Sequence, residues 1–353
     1  MFPNVALGWG RSVLVGLAIV ALSGGLSAAA MVLVLRYAKR MRLVQAPNGR
    51  SSHRSPTPAG GGIGIAGGAT LAALFVAAGQ SWPTVWIIGF GLLLAGVGLW
   101  DDISPQPAAL RLGAQLAAVA GTLALVFSPF ALANAFGLGI VPDPVLLAAL
   151  SLVLVYWINL FNFMDGIDGL AGSEAVFLLM APVVLALLDG FGVASTPFYW
   201  WVLATATATA VFLAFNWQPA RIFMGDAGSL FLGFVTAIFG LIELVGGWIS
   251  PWELAILPAC FFTDATVTLV RRAAQGEALM TAHRRHAYQR LARRFDSHRR
   301  VTLGVTAVNV AWLLPLAVVA HLRPEFGPEL AALAYLPLVV AVVLAGAGRS
   351  EHA

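Results

Sequence analysis

The sequence predicts an all-α, polytopic membrane protein. Of its 353 residues, 59% are hydrophobic and only 10% are charged, a balance too apolar for the surface of a water-soluble domain. Apolar stretches of about 20 residues, the length at which a helix spans a bilayer, recur from Leu14 onwards. These stretches do not alternate polar and apolar positions, as the strands of a membrane β-barrel do. A bundle of transmembrane helices is therefore expected.

The apolar stretches predict about eleven helices. The first is interpreted as a span and not as a cleaved signal peptide, because apolar residues continue through Leu35 and basic residues follow. No fixed-period repeat or low-complexity linker divides the chain, so residues 1–353 are expected to form one domain. The expected spans are 13–35, 61–79, 84–100, 108–128, 145–162, 173–189, 197–215, 228–247, 252–270, 301–320 and 330–347.

The distribution of basic residues predicts the orientation, because Lys and Arg near span ends stay in the cytoplasm. With eleven spans, only Arg11 and Arg323 fall on one side. We therefore expect the N-terminus outside and the C-terminus in the cytoplasm, with every polar motif on the cytoplasmic face. The residues on the cytoplasmic side are Arg36, Lys39, Arg40, Arg42, Arg50, Arg54, Arg111, Arg221, the loop from Arg271 to Arg300, and Arg349.

Two adjacent carboxylates, Asp101 and Asp102, close the third predicted span. A charged group at membrane depth costs at least about 2.5–3.5 kcal/mol, so such residues usually line a cavity or pair with a cation. Neighbouring carboxylates repel unless a cation sits between them or one is protonated. The alternative is a polar cap that ends the helix in the headgroup region.

A second polar motif places Asn159, Asn162, Asp165 and Asp168 at every third position. Neighbouring members face the same way if the segment is helical. Hard oxygen ligands of this kind suit Mg²⁺, which binds carboxylates together with substrate phosphates. A structural polar turn is the alternative.

A third motif contains Arg221 and Asp226 in a loop that leads into a span. Asp226 precedes small residues, so it can cap that helix or place a carboxylate on a metal at the bilayer edge. Arg221 can bind a phosphate or can simply follow the positive-inside rule.

Two further loops carry positive charge and glycine. Residues 51–58 lead into a glycine run at 60–64, which can expose backbone donors to a phosphate or begin a closely packed helix. Residues 282–294 can form an amphipathic, lipid-facing helix. Alternatively, the His and Arg side chains of this loop can bind a diphosphate through hydrogen bonds.

Together, three carboxylate motifs and two Arg- and His-containing loops on one face predict a magnesium-dependent phosphoryl-transfer site for an anionic substrate. The alternative from another class is a transporter or lipid flippase whose carboxylates relay ions. That class would place charged residues near span midpoints. Here the acidic residues lie mostly at span ends, which favours an enzyme.

The motifs also occur along the chain in the order found in one protein family. The runs 98–102, 159–170 and 223–229 and the late His-containing loop resemble those of polyprenyl-phosphate N-acetylhexosamine-1-phosphate transferases, over residues 35–300. The resemblance implies transfer of a sugar-1-phosphate from a UDP-linked N-acetylhexosamine to undecaprenyl phosphate, with release of UMP, at the bacterial inner membrane. It further implies Mg²⁺ or Mn²⁺ as cofactor, the lipid bilayer as environment, a homodimer as a possible assembly and no nucleic-acid partner.

The resemblance implies roles for individual residues. Asp264 matches a family Asp, and its alternative is an ion pair with Arg271 and Arg272. The implied metal ligands are Asp226 and Asp165. The implied catalytic residues are Asp101, Asp102, Asp165 and Asp168. The implied substrate-binding residues are Asn159, Asn162, Arg221, Asp264, His283, Arg284, Arg285 and His286.

The late loop departs from relatives that carry a cluster of several His residues there. Residues 283–289 and 47–53 together resemble the branch that starts O-antigen and similar polysaccharides. That branch uses UDP-N-acetylfucosamine, UDP-N-acetylquinovosamine or UDP-N-acetylglucosamine, and it is distinct from the peptidoglycan-precursor branch. We expect residues 283–291 to select the sugar.

Overall fold

The structure, a computed structural model, describes residues 9–45, 56–78, 82–278 and 283–350. Apart from one short hairpin, the regular structure of these residues is helical. The helices are α1 (Trp9–Tyr37), α2 (Gly61–Ala78), α3 (Trp82–Ile103), α4 (Ala108–Val126), α5 (Pro129–Phe136), α6 (Asp143–Phe163), α7 (Leu170–Leu188), α8 (Pro197–Asn216), α9 (Gly225–Val245), α10 (Pro251–Ile256), α11 (Ala259–Ala274), α12 (Ala287–Phe295), α13 (His298–Val308), α14 (Leu314–Leu322) and α15 (Gly327–Leu344).

Ten helical segments in the described part of the chain are long and apolar enough to cross a membrane. They correspond to ten of the eleven predicted spans, so the predicted all-α membrane fold is confirmed. One of them joins α13 to α14 through a π-helical turn at Asn309–Leu313. The orientation of the termini stays a prediction.

The remaining predicted span, 252–270, is divided into two helices. α10 ends at Ile256 and α11 begins at Ala259, with Pro258 at its N-cap. Proline has no backbone N–H to continue a helical ladder, which accounts for the interruption. The hydropathy of this segment is continuous, so the sequence alone predicted one helix. The short helix α5 was not predicted at all.

α9 is the central helix of the bundle and is buried along most of its length. Glycines let two neighbouring helices approach its first turn. A Cβ on Gly98 of α3 would lie 2.3 Å from the carbonyl oxygen of Asp226, and one on Gly62 of α2 would lie 2.1 Å from the backbone nitrogen of Gly228. Small residues at such crossings allow backbones to pack closely. The crossing with α3 brings the end of that helix, with its two carboxylates, against the start of α9.

The glycine run at 60–64 is used for packing. The N–H groups of Gly61 and Gly62 donate to the carbonyl oxygens of Phe223 and Met224, both at 2.9 Å. These two donors are therefore already occupied, and a phosphate-binding role for them was the wrong alternative. The tightly packed helix start was the correct one.

A short antiparallel hairpin precedes α2. It pairs β1 (Val44–Gln45) with β2 (Thr57–Pro58), and the N–H of Phe223 donates to the carbonyl oxygen of Pro58 at 2.8 Å. The hairpin thereby anchors the segment before α9. Most of the predicted basic loop, including motif 47–53 and Arg54, lies outside the described residues.

Candidate active site

Asp102, at the end of α3, caps the N-terminus of α9. Its two carboxylate oxygens accept the N–H groups of Asp226 at 2.9 Å and of Ala227 at 3.1 Å. Unpaired N–H groups at a helix start carry partial positive charge, so an anionic acceptor is stabilised there. Gly225 has φ +73°, and a Cβ on it would lie 2.5 Å from Asp102 Oδ2. Only glycine fits both the positive φ and the lack of space for a Cβ. The close approach of Asp102 to the backbone here fixes Asp226 in place.

Asp101 points towards a different partner. Its Oδ1 accepts the N–H of Gln106 at 2.6 Å, and its Oδ2 accepts a bond from Arg111 at 3.0 Å. The same Arg111 nitrogen lies 3.0 Å from Asp226 Oδ2. The sequence left open how the adjacent carboxylates avoid repulsion. Backbone N–H groups stabilise one of them, and Arg111 of α4 stabilises the other.

Asn162, in the last turn of α6, holds the second oxygen of Asp226. Its side-chain amide donates to Asp226 Oδ1 at 2.9 Å and to the hydroxyl of Ser229 at 2.7 Å. Asn159 faces elsewhere, since its amide donates to the side chain of Gln115 on α4 at 2.5 Å. Only part of the period-three motif therefore converges on Asp226.

The second half of the motif lies outside the helix, because α6 ends at Phe163 and residues 164–169 form a turn. Asp165 lies in this turn and faces a cavity. No side chain among the described residues donates a hydrogen bond to it. Burial raises the pKa of Asp165 well above its ordinary value, and the nearby carboxylates of Asp226, Asp102 and Asp168 raise it further. A carboxylate in this position is strongly stabilised by a cation.

Asp168 connects this turn to the segment before α9 and to the start of α13. Its Oδ2 accepts the N–H of Ala220 at 3.1 Å, and its Oδ1 lies 3.3 Å from Nδ1 of His298, the first residue of α13. One turn further along α13, the hydroxyl of Thr302 donates to the backbone carbonyl of Asp168 at 2.8 Å. His298 and Thr302 were not predicted as site residues.

These elements enclose a cavity of about 280 Å³. It brings together Asn162, Asp165 and Asp168 of the second motif with Asp226 of the third. Asp101 and Asp102 of the first motif do not line it, and they act on Asp226 from outside. Arg221 lies outside it, exposed, with its guanidinium 4.7 Å above the ring of Phe215. The cavity is lined by Gln45, Asn162, Asp165, Gly166, Ile167, Asp168, Asn216, Phe223, Met224, Gly225, Asp226, Gln289 and His298.

Asp264 caps α12, the helix that follows the described part of the late loop. Its carboxylate accepts the N–H groups of Ala287 and Tyr288, both at 2.8 Å. The hydroxyl of Tyr288 in turn donates to the carbonyl oxygen of Phe163 at 2.8 Å. α12 is therefore attached to the end of α6, next to the cavity. Its buried Tyr288 shows that it packs on the protein and is not simply a lipid-facing helix.

The alternative interpretation of Asp264, an ion pair with Arg271 and Arg272, was wrong. Arg272 pairs with Glu277 at 3.1 Å, and Arg271 donates to the carbonyl oxygen of Ala347 at 2.8 Å. Both arginines therefore hold neighbouring segments together and leave Asp264 to α12.

The four predicted substrate-binding residues of the late loop do not line the cavity; Gln289 of α12 does. His286 is buried, and its ring stacks on those of His283 and Tyr288. Burial lowers the pKa of His283 to about 4, and the charges of His286 and nearby arginines add to the effect. Arg285 pairs with Glu277. The roles of His283, Arg284, Arg285 and His286 in binding substrate stay predictions.

The cavity has a donor set that fits Mg²⁺ or Mn²⁺. Within the described ranges, no three His, Cys, Asp or Glu side chains gather into a complete cation site. Mg²⁺ commonly takes only one or two carboxylates and completes its shell with water and substrate phosphates. Asp165 and Asp226 supply two such carboxylates on one cavity. These two residues would hold the ion.

Comparison with known proteins assigns this arrangement to a family. The decaprenyl-phosphate N-acetylglucosaminephosphotransferase of Mycolicibacterium smegmatis is 31% identical over 340 residues, covering 86% of this chain and 81% of the relative. The chain belongs to the polyprenyl-phosphate N-acetylhexosamine-1-phosphate transferases. The profile of glycosyl transferase family 4 matches residues 84–243. This transferase is thus an enzyme, and the transporter alternative was wrong.

Other relatives of the transferase cover it to a similar extent. The probable undecaprenyl-phosphate N-acetylglucosaminyl 1-phosphate transferase of Bacillus subtilis is 28% identical, over 78% of this chain and 77% of the relative. The undecaprenyl-phosphate α-N-acetylglucosaminyl 1-phosphate transferase of Escherichia coli K12 is 27% identical, over 82% and 81%. The profile match contains every carboxylate of the cavity but ends before α12.

Proposed function

We propose that this transferase moves N-acetylhexosamine-1-phosphate from a UDP-linked sugar to undecaprenyl phosphate and releases UMP, as the first membrane step of O-antigen or another envelope polysaccharide. The observation that carries the proposal is the convergence of Asp165 and Asp226 on one cavity, beside an arginine shared by two carboxylates. A site of this kind suits a diphosphate bound through a divalent ion.

The proposed reaction is a phosphoryl transfer. A phosphate oxygen of the lipid attacks the β-phosphorus of the UDP-sugar and forms a new P–O bond. The bond between that phosphorus and the bridging oxygen breaks, and UMP leaves with the bridging oxygen. The lipid phosphate is already largely dianionic near neutral pH, since its second pKa is about 6. The protein is therefore not required to supply a base.

The geometry supports positioning roles for most of the carboxylates. Asp102 fixes the backbone of Asp226, and Asn162 orients its side chain. Asp101 holds Arg111 against the same carboxylate. A bound divalent ion would neutralise the negative charge of the diphosphate and of the departing UMP. Asp101 and Asp102 are thus proposed to position other groups and not to deprotonate the acceptor.

The relatives support UDP-N-acetylglucosamine as the first donor to test, because all three relatives described above are named as N-acetylglucosamine phosphotransferases or N-acetylglucosaminyl 1-phosphate transferases. The proposed sugar-selecting segment is 283–291, which reaches the cavity through Gln289. Exchanging this segment for that of a relative with a different donor should change the ratio of kcat/KM between the two sugars. An unchanged ratio in an active chimera would rule out selection by this segment.

The location proposed is the inner membrane, with the cavity facing the cytoplasm, where UDP-sugars are made. The clustering of basic residues on one side of the spans supports this orientation.

Purified protein in detergent provides the direct test. UMP should appear only when a UDP-sugar, undecaprenyl phosphate and Mg²⁺ are all present. Chelation should stop its release, and added Mg²⁺ or Mn²⁺ should restore it. UMP formation without the lipid acceptor, or none with any UDP-N-acetylhexosamine, would contradict the proposal.

A further inference from the structure

A second cavity, of about 300 Å³, lies beside α12, and none of its described lining residues lines the first cavity. Arg290 and Arg294 of α12 line it, one helical turn apart, and Arg349 lines it from beyond the end of α15. Residues four apart lie on the same face of a helix. Gln289, one position before Arg290, lines the active-site cavity instead. Two faces of one short helix thus serve two separate cavities.

The second cavity is strongly positive. Arg290 donates to the backbone carbonyl of Arg349 at 3.1 Å. Arg294 and Arg349 are exposed, and neither has an acidic partner in the described part of the chain. Among the residues that the structure describes, no carboxylate lines the cavity. Three guanidinium groups around one space repel one another unless an anion lies between them, and guanidinium groups bind phosphate through paired hydrogen bonds.

The position of the cavity indicates the kind of anion. Leu344, the last residue of α15, lines it together with Leu291 of α12. Because α15 belongs to the last membrane-crossing segment, its end marks the boundary between the bilayer core and the headgroups. An amphipathic ligand bound at this boundary would contact the arginines through its phosphate and the leucines through its apolar part. Basic pockets at the ends of transmembrane helices are typical sites for anionic lipid headgroups.

We propose that the second cavity binds the phosphate headgroup of an anionic phospholipid. The backbone at Gly346 is suited to this site: its φ is +84°, and a Cβ there would lie 3.1 Å from Arg290 Nε. Glycine therefore lets the arginine lie across the chain that leaves α15.

Lipid binding also affects the first cavity, because α12 belongs to both. Tyr288 of α12 is bonded to Phe163 at the end of α6, and Gln289 lines the active-site cavity. A headgroup held between Arg294 and Arg349 fastens α12 to the end of α15. Anionic phospholipid should therefore raise kcat without taking part in the reaction.

The binding test uses soluble, short-chain phosphatidylglycerol, with phosphatidylcholine and inorganic phosphate as separate arms. The melting temperature of the detergent-purified protein should rise when phosphatidylglycerol is added, and it should not rise with phosphatidylcholine or inorganic phosphate. In the double variant Arg294→Gln/Arg349→Gln, the apparent affinity should fall about thirtyfold, which corresponds to about 2 kcal/mol for two arginines. The matched variant Arg299→Gln/Arg300→Gln loses the same charge from exposed positions of α13 and should retain wild-type affinity.

Three outcomes would overturn the proposal. If the double variant binds phosphatidylglycerol as tightly as the wild type, these arginines are not the site. Inorganic phosphate at equal concentration could match phosphatidylglycerol, which would make the site one for free anions. Finally, the KM for undecaprenyl phosphate could rise in step with the lost affinity, which would assign the arginines to the acceptor.

An activity measurement tests the coupling. In vesicles that contain phosphatidylglycerol, the wild type should have a higher kcat than in phosphatidylcholine alone, and the double variant should show no difference. Equal stimulation of both proteins would refute the coupling. The melting experiment needs no sugar donor, so a failure of the proposed reaction and a failure of this inference can be told apart.

Discussion

Replacement of Asp102 by Asn tests whether this carboxylate acts through Asp226. In the wild type, the two oxygens of Asp102 accept the N–H groups of Asp226 and Ala227, at 2.9 and 3.1 Å. Asn keeps only one acceptor oxygen, so its NH₂ group faces one of these N–H donors and leaves it unpaired. An unpaired N–H costs about 1–3 kcal/mol, and loss of negative charge at a helix start costs about 0.3–1 kcal/mol more. The start of α9, with Asp226, should therefore shift.

A displacement of about 1 Å in a catalytic group can lower a rate about a hundredfold. We expect Asp102→Asn to lower kcat by this factor, measured as UMP release, and to lower the melting temperature. Gly225→Ala should produce the same pair of changes with every charge retained, because its Cβ would collide with Asp102. Asp143→Asn is the matched control, since this exposed carboxylate lies in the first turn of α6, away from the cavity. Wild-type kcat and stability in Asp102→Asn would refute the reasoning.

Three more measurements address other parts of the molecule. Arg111→Gln leaves two carboxylates without their shared cation and should lower kcat about a hundredfold, with partial recovery in Arg111→Lys; full activity in the Gln variant would contradict this role. The pKa of His283 is lowered from 6.5 to about 4, so the unfolded chain takes up this proton first, and stability should fall as the pH drops from 6.5 towards 4. Melting temperatures should show a weaker pH dependence in His283→Gln; an identical dependence would exclude this residue as the cause. Cys260 is the single cysteine of the chain, so Cys260→Ala provides a cysteine-free background. In it, a cysteine at Ser51 should be labelled from the cytoplasm and one at Ser195 from outside, and the reverse pattern would overturn the topology.

The membrane fold was predictable because a spanning helix is a local property of about 20 consecutive residues. The interruption at Pro258 was less visible, since the residues on both sides of it remain apolar. The types of the site residues were also predictable, because carboxylates at helix ends are costly unless a cavity or a cation stabilises them.

The partners of these carboxylates were not predictable from the sequence. Arg111 reaches Asp226 across 115 positions, and His298 reaches Asp168 across 130. Nothing near Arg111 or His298 in the sequence marks which aspartate it meets. Periodicity along one helix also does not predict which neighbouring element a side chain meets. Asn159 and Asn162 both lie in α6, yet Asn159 pairs with Gln115 of α4, and Asp165 and Asp168 lie beyond the end of the helix at Phe163.

The carboxylates of the first cavity and the helix α12 belong to different parts of the chain. The profile match at residues 84–243 contains every carboxylate that surrounds the first cavity and ends before the segment that carries α12. α12 is nevertheless attached to that cavity by its cap, Asp264, which belongs to α11, and by the bond from Tyr288 to Phe163. A short helix attached at its start leaves its exposed residues free to change without disturbing the carboxylates proposed to bind the metal. The proposed sugar selection on one face of α12 and the proposed lipid binding on another can therefore vary while the cavity carboxylates stay the same.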